Sequence, residues 1–243
     1  MGVSPSIARG SIPAGYREVL HWNISQLGGG MIRIQALAGV AFCLGLAGYL
    51  LLAFALGTTP EVRVMDTVGA ILSAPYNIGL EIGRQLAGET SGSGGVLLIQ
   101  TLGNILLAVG ILIGLQVLLV FLHEGVHGLA MVFFGARPAF GFLPKGLMFY
   151  ATSPGYAFSR TQFLWVAILP LISLNLLFLL ALLLPIGLTG SVIVAVLAAL
   201  NIGGAVGDLW IMAIVLKYPP TAYIGDEKDG MRIFLPEEDS IPV

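Results

Sequence analysis

The chain has 243 residues, 57% hydrophobic and 10% charged, with a mean hydropathy of +0.95. Soluble globular domains are about a quarter charged, so this composition excludes an ordinary soluble fold and points to an integral membrane protein in a lipid bilayer. The net charge of −2 argues against a nucleic-acid partner, and the single cysteine, Cys43, excludes an internal disulfide.

Residues 1–33 form a polar segment that does not read as a secretory signal. The first long apolar run starts only after residue 33, and no small-residue cleavage site closes it. Four runs are then long enough to span a bilayer, which takes about 20 apolar residues. The first is 34–57, the second lies within 96–134, the third is 162–186 and the fourth is 190–216. The second run exceeds what one untilted helix needs, so it is expected to tilt or protrude.

Between the first two runs, residues 66–88 mix apolar positions with Asp66, Glu81 and Arg84 and are interrupted by Pro75. They read as an interfacial or re-entrant helix. SGSGG at 91–95 reads as a flexible joint. Residues 140–160 suggest short extended pieces punctuated by Pro144, Gly146, Pro154 and Gly155. Near the C-terminus, Asp229-Gly230 is a turn signal for a hairpin. The expected fold class is therefore an all-α polytopic membrane protein of about four transmembrane helices, with an extra interfacial or re-entrant helix and short β-like loop segments.

Orientation follows from lysine and arginine in the loops. With the N-terminus inside, nine of the eleven basic residues fall on the cytoplasmic side, and only Arg63 and Arg84 fall outside. The expected organisation is a cytoplasmic segment 1–33, a transmembrane domain 34–216 and a cytoplasmic tail 217–243.

The second run contains FLHEGVHGLA, residues 121–130. Ionisable residues inside a membrane span are costly, and by default mark function. HEGVH matches H-E-x-x-H, in which two histidines four apart lie on one helix face and can reach one cation. His123 and His127 are thus candidate metal ligands, with Zn2+ as the expected ion. Glu124 is the candidate general base for a water activated by it. A catalytic zinc site takes three protein ligands and leaves a fourth position open. His21 lies in the N-terminal segment, and runs one and three hold no acid or histidine, so Asp208 in run four is the candidate third ligand.

Depth supports that assignment. Runs two and four cross in the same direction, His127 lies ten residues before Arg137, and Asp208 nine before Lys217. Asn201, seven residues before Asp208, shares nearly the same helix face. It is a candidate for binding a substrate carbonyl or the oxyanion, with an interhelical hydrogen bond as the other reading. Gly125, Gly128, Gly203, Gly204 and Gly207 suggest close helix approach. Pro170 and Asn175 read as packing or kink residues.

With HEGVH followed by Asn-x6-Asp in a later apolar helix, the chain resembles the site-2-protease type of intramembrane zinc metalloproteases. That type has a proline soon after the asparagine and a glycine after the aspartate, where this chain has Ile202-Gly203 and Leu209. A nearer likeness rests on HEGVHG, YATSPGYAFSRTQF, NIGGAVGD and DEKDGMRIF, over about residues 100–235. By these segments the chain resembles small bacterial membrane proteins of a domain-of-unknown-function family labelled zincin peptidases. The resemblance implies a zinc metalloendopeptidase of the bacterial plasma membrane, with His123 and His127 as ligands and Glu124 as base. Its substrate would be a membrane-associated peptide or protein. The alternative from a different class is a non-catalytic membrane protein that uses the metal site for structure, sensing or transport. Haem is disfavoured, because two histidines on one helix face cannot ligate opposite sides of one haem plane.

Overall fold

The computed structural model describes residues 10–23, 30–56, 94–143, 148–228 and 230–237. Among these are five helices and six strands. In chain order they are β1 (Tyr16–Asn23), α1 (Gly30–Ala55), α2 (Gly94–Phe133), β2 (Ala139–Leu143), β3 (Met148–Thr152), β4 (Ala157–Ser159), α3 (Arg160–Ala181), α4 (Gly187–Gly204), α5 (Val206–Val215), β5 (Tyr223–Glu227) and β6 (Gly230–Pro236). Four helical stretches are long and apolar enough to cross a membrane: Ile32–Ala55, Val109–Phe133, Arg160–Ala181 and Gly187–Val215, the last made of α4 and α5. The segment expected as an interfacial or re-entrant helix, 66–88, lies outside the described residues.

The expected all-α fold requires correction, because two antiparallel sheets are present. One has the strand order β1-β6-β5-β4, and the other is the β2-β3 hairpin. β1 is the larger departure. It falls in the segment read as a plain N-terminal stretch and pairs along β6 from Tyr16↔Pro236 to Asn23↔Gly230. The hairpin near the C-terminus does form, but Glu227 pairs with Gly230, so its two-residue connection is 228–229. Gly230 serves a different purpose from the one its Asp-Gly context suggested. A Cβ there would lie 2.1 Å from the carbonyl oxygen of Trp22, so only glycine lets β1 pack at this point.

Helix limits also have local causes. Strand β4 runs directly into α3 through a capping box, in which the Gln162 amide donates to Ser159 Oγ and the Ser159 amide donates to Gln162 Oε1. This ties the start of α3 to the sheet. The third apolar run stops being α-helical at Ala181, short of Pro185, and the fourth breaks at Ala205. α2 continues unbroken for 40 residues. At 1.5 Å per residue it is roughly 60 Å long, about twice the thickness of a hydrocarbon core.

The core has two parts. Beneath the four-stranded sheet, Phe158, Ile224, Met231, Ile233 and Leu235 pack against Met131, Phe163, Val166 and Val215 from the ends of α2, α3 and α5. Deeper in the bundle, Tyr49 and Ala53 of α1 pack with Leu182, Ala195 and Ala198. The outer helix faces remain apolar and uncovered: Leu106, Leu129 and Phe133 are 72%, 70% and 83% exposed. Such an expanse of exposed aliphatic surface exceeds what a soluble monomer presents.

Candidate metal centre

His123 and His127 are one turn apart on α2, with ring centroids 5.0 Å apart. Each ring is held by its Nδ1. His127 Nδ1 donates to the carbonyl oxygen of Val166 on α3 at 2.8 Å. That oxygen is available because of Pro170. In an α-helix the carbonyl of residue 166 takes the amide hydrogen of residue 170, and proline has none. Pro170, expected as a packing or kink residue, thus frees the acceptor that orients a candidate ligand.

His123 Nδ1 donates to Asn201 Oδ1 at 2.9 Å. The amide nitrogen of Asn201 donates to the carbonyl oxygen of Pro170 at 3.4 Å, which sets which end of the amide faces His123. Asn201 is 2% exposed. Its carbonyl end is therefore committed to orienting His123. This favours the hydrogen-bonding reading of Asn201 over the binding of a substrate carbonyl or oxyanion.

Carbonyl oxygens only accept, so both Nδ1 atoms carry hydrogen, and in the neutral rings both Nε2 atoms then present lone pairs. Those lone pairs point at one carboxylate. His123 Nε2 lies 3.1 Å from Asp208 Oδ2, and His127 Nε2 lies 3.5 Å from Asp208 Oδ1. The ligand atoms of the three residues lie within 4.8 Å of one another, so they could hold a metal ion. Two lone pairs and a carboxylate converging in a poorly hydrated site call for a cation among them. The spacing fits zinc: bonds of about 2.0–2.1 Å at tetrahedral angles separate ligand atoms by roughly 3.3 Å. Asp208 stands in the first turn of α5, just after the break at Ala205. Asn201 and Asp208 grip opposite edges of the His123 ring, as their seven-residue spacing allows.

Glu124 faces the same cavity, and the main chain of Ala151 on β3 hydrogen-bonds its carboxylate. The cavity is about 680 Å³ and brings His123, Glu124, His127, Asn201 and Asp208 together. His21 is elsewhere, 3.1 Å from Glu227. The glycines divide. A Cβ on Gly203 would meet the Ala38 carbonyl oxygen at 3.1 Å, and one on Gly128 would meet Phe140 of β2 at 2.5 Å, whereas Gly125, Gly204 and Gly207 have nothing within 4 Å. Gly204 and Gly207 leave room in the cavity wall and do not make a helix contact.

Among the further polar residues lining this cavity, Gln116 and Asp226 were not singled out from the sequence. Gln116 had a legible signal, since it lies seven residues before His123 and so on nearly the same face of α2. Asp226 had none, because its position depends on the β5–β6 pairing. Burial pushes its carboxyl up to about 7.

Residues 116–223 match the model of a family described as "Putative zincin peptidase". The match covers less than half of the chain and contains His123, Glu124, His127, Asn201 and Asp208, but not α1, β1, β6 or Asp226. No curated protein and no solved structure matches the chain.

Proposed function

Taking the zincin-peptidase match over residues 116–223 as premise, we propose that this chain is an intramembrane zinc metallopeptidase hydrolysing peptide bonds in or near the bilayer. The observation that carries the reading is the convergence of both Nε2 atoms on Asp208, beside Glu124 in one cavity. His123, His127 and Asp208 would hold the ion. Zinc, when bound, supplies Lewis acidity that brings the pKa of water to about 7 and polarises a carbonyl.

The chain's own groups do the rest. Glu124, steadied by the Ala151 main chain, takes a proton from the attacking water and passes it to the departing amide nitrogen. One C–O bond forms, one C–N bond breaks, and no proton is left over. Asn201 and the Val166 carbonyl keep the histidine rings from turning. A helical substrate hides its carbonyls in backbone bonds and must unwind locally. β3 pairs only with β2 among the described residues, and an extended substrate segment running along its outer edge would present a carbonyl beside Glu124. The positive-inside bias puts both termini and the cavity mouth on the cytoplasmic side of a bacterial plasma membrane.

The test uses the full chain in detergent and a peptide library read by mass spectrometry. Glu124→Gln should keep its zinc and lose cleavage by about a hundredfold or more. Undiminished cleavage by the zinc-loaded variant would remove Glu124 from the chemistry.

A further inference from the structure

One carboxylate on the cavity wall has no part in the chemistry above. Asp226 lies two residues after Ile224, which is fully buried. Strand alternation turns both side chains to the helix-facing side of the sheet. Glu227, its neighbour, has cations at hand: Arg232 at 2.6 Å and His21 at 3.1 Å. Asp226 has no ion pair among the described residues. Thr152 Oγ1 donates to the main-chain carbonyl of Asp226 at 3.2 Å and the Ser153 main chain hydrogen-bonds its carboxyl group, but its Oδ2 is buried with no hydrogen-bond partner.

A second buried acceptor, Oε1 of Gln116, also has no partner. It sits on the cavity wall two helical turns before His123, roughly 10 Å along α2 and away from the sheet. A buried acceptor without a donor is costly. Two of them in one cavity with the candidate metal ligands mark a space shaped for a ligand that brings N–H groups. Among the described residues the cavity wall carries one Lys or Arg side chain, Lys228, which is exposed and makes no ion pair with Asp226.

We propose that Asp226 is a specificity residue that receives a cationic group of the substrate, an ammonium or guanidinium borne by a basic side chain or by a free amino terminus. Gln116, uncharged, receives a main-chain N–H farther into the bundle. The inference rests on the peptidase reading for the identity of the ligand, and on the cavity alone for its charge.

Three short peptides test it by binding to the full chain in detergent, in a Glu124→Gln background so that nothing is cleaved. One is N-acetylated with a central lysine, one N-acetylated with norleucine in its place, and one has norleucine with a free amino terminus. Either cationic peptide should bind about tenfold tighter than the neutral one, the scale of a charge-assisted hydrogen bond. The cationic peptide that shows the gain identifies the source of the charge. Asp226→Asn should erase the preference. Equal binding of all three, no measurable binding, or a preference that survives Asp226→Asn would overturn the proposal. The comparison among peptides needs no change at position 226, so a folding defect in that variant cannot rescue the idea. Selective binding without any cleavage by the wild-type chain would instead count against the peptidase reading and leave the cation site standing.

Discussion

Pro170 costs α3 one backbone hydrogen bond, and the lost bond is what orients His127. Restoring the amide with Pro170→Ala should return the Val166 carbonyl to the helix ladder and leave His127 Nδ1 without its acceptor. Helix content should hold or rise, while zinc affinity falls about tenfold or more, as for other groups that orient metal ligands. Competition with a chelating dye measures it, and unchanged affinity would show that the carbonyl does not set the ring. Asn201→Leu should act similarly through His123. At this scale much was legible in the sequence. HEGVH stood out against an apolar helix, and Asp208 followed by elimination and depth. The Val166 carbonyl was not legible, since a proline in an apolar helix does not announce which neighbour will use the carbonyl it frees.

Helix α1 and the α4–α5 pair meet through small residues. Gly203 faces the Ala38 carbonyl oxygen and the Phe42 side chain, whereas Gly204 has open space. Gly203→Val should therefore destabilise the chain by ~1–3 kcal/mol through overpacking. Gly204→Ala should be neutral or slightly stabilising. Thermal unfolding in detergent separates the two, and equal losses would contradict this packing.

The sheet carries its own pH signature. An aspartate ordinarily titrates near 3.8, but burial pushes Asp226 up to about 7 in the fold. Between those values the folded chain holds a proton that the unfolded chain has released, so this group's contribution to stability declines as pH rises through the window and is flat above it. Asp226→Asn should remove that slope, and an unchanged slope in the variant would assign it to other groups. The four apolar runs and the C-terminal hairpin could be read from periodicity and turn residues. β1 could not, because Tyr16–Asn23 is a strand only through a partner more than two hundred residues away.

Over the whole molecule, the four-stranded sheet joins β1 from before the first candidate span, β4 from between the second and third, and β5 and β6 from after the fourth. In an up-and-down bundle of four helices these are the segments that share one face. Their pairing is what the proposed four-span topology requires of β1 and β6. In a Cys43→Ser background, single cysteines at Arg137 and Lys217 should label from the same side of sealed vesicles. Labelling from opposite sides would break the four-span topology. Asp226 of this sheet and the Glu124-binding main chain of Ala151, on the separate β2-β3 hairpin, meet at the cavity that holds the candidate ligands.

Zinc stoichiometry is the most direct measurement of the central claim. Wild type and Glu124→Gln should each carry one tightly held zinc per chain, and Asp208→Ala, folded by circular dichroism, should lose most of it. Full and equally tight zinc in Asp208→Ala would contradict a site shared by His123, His127 and Asp208.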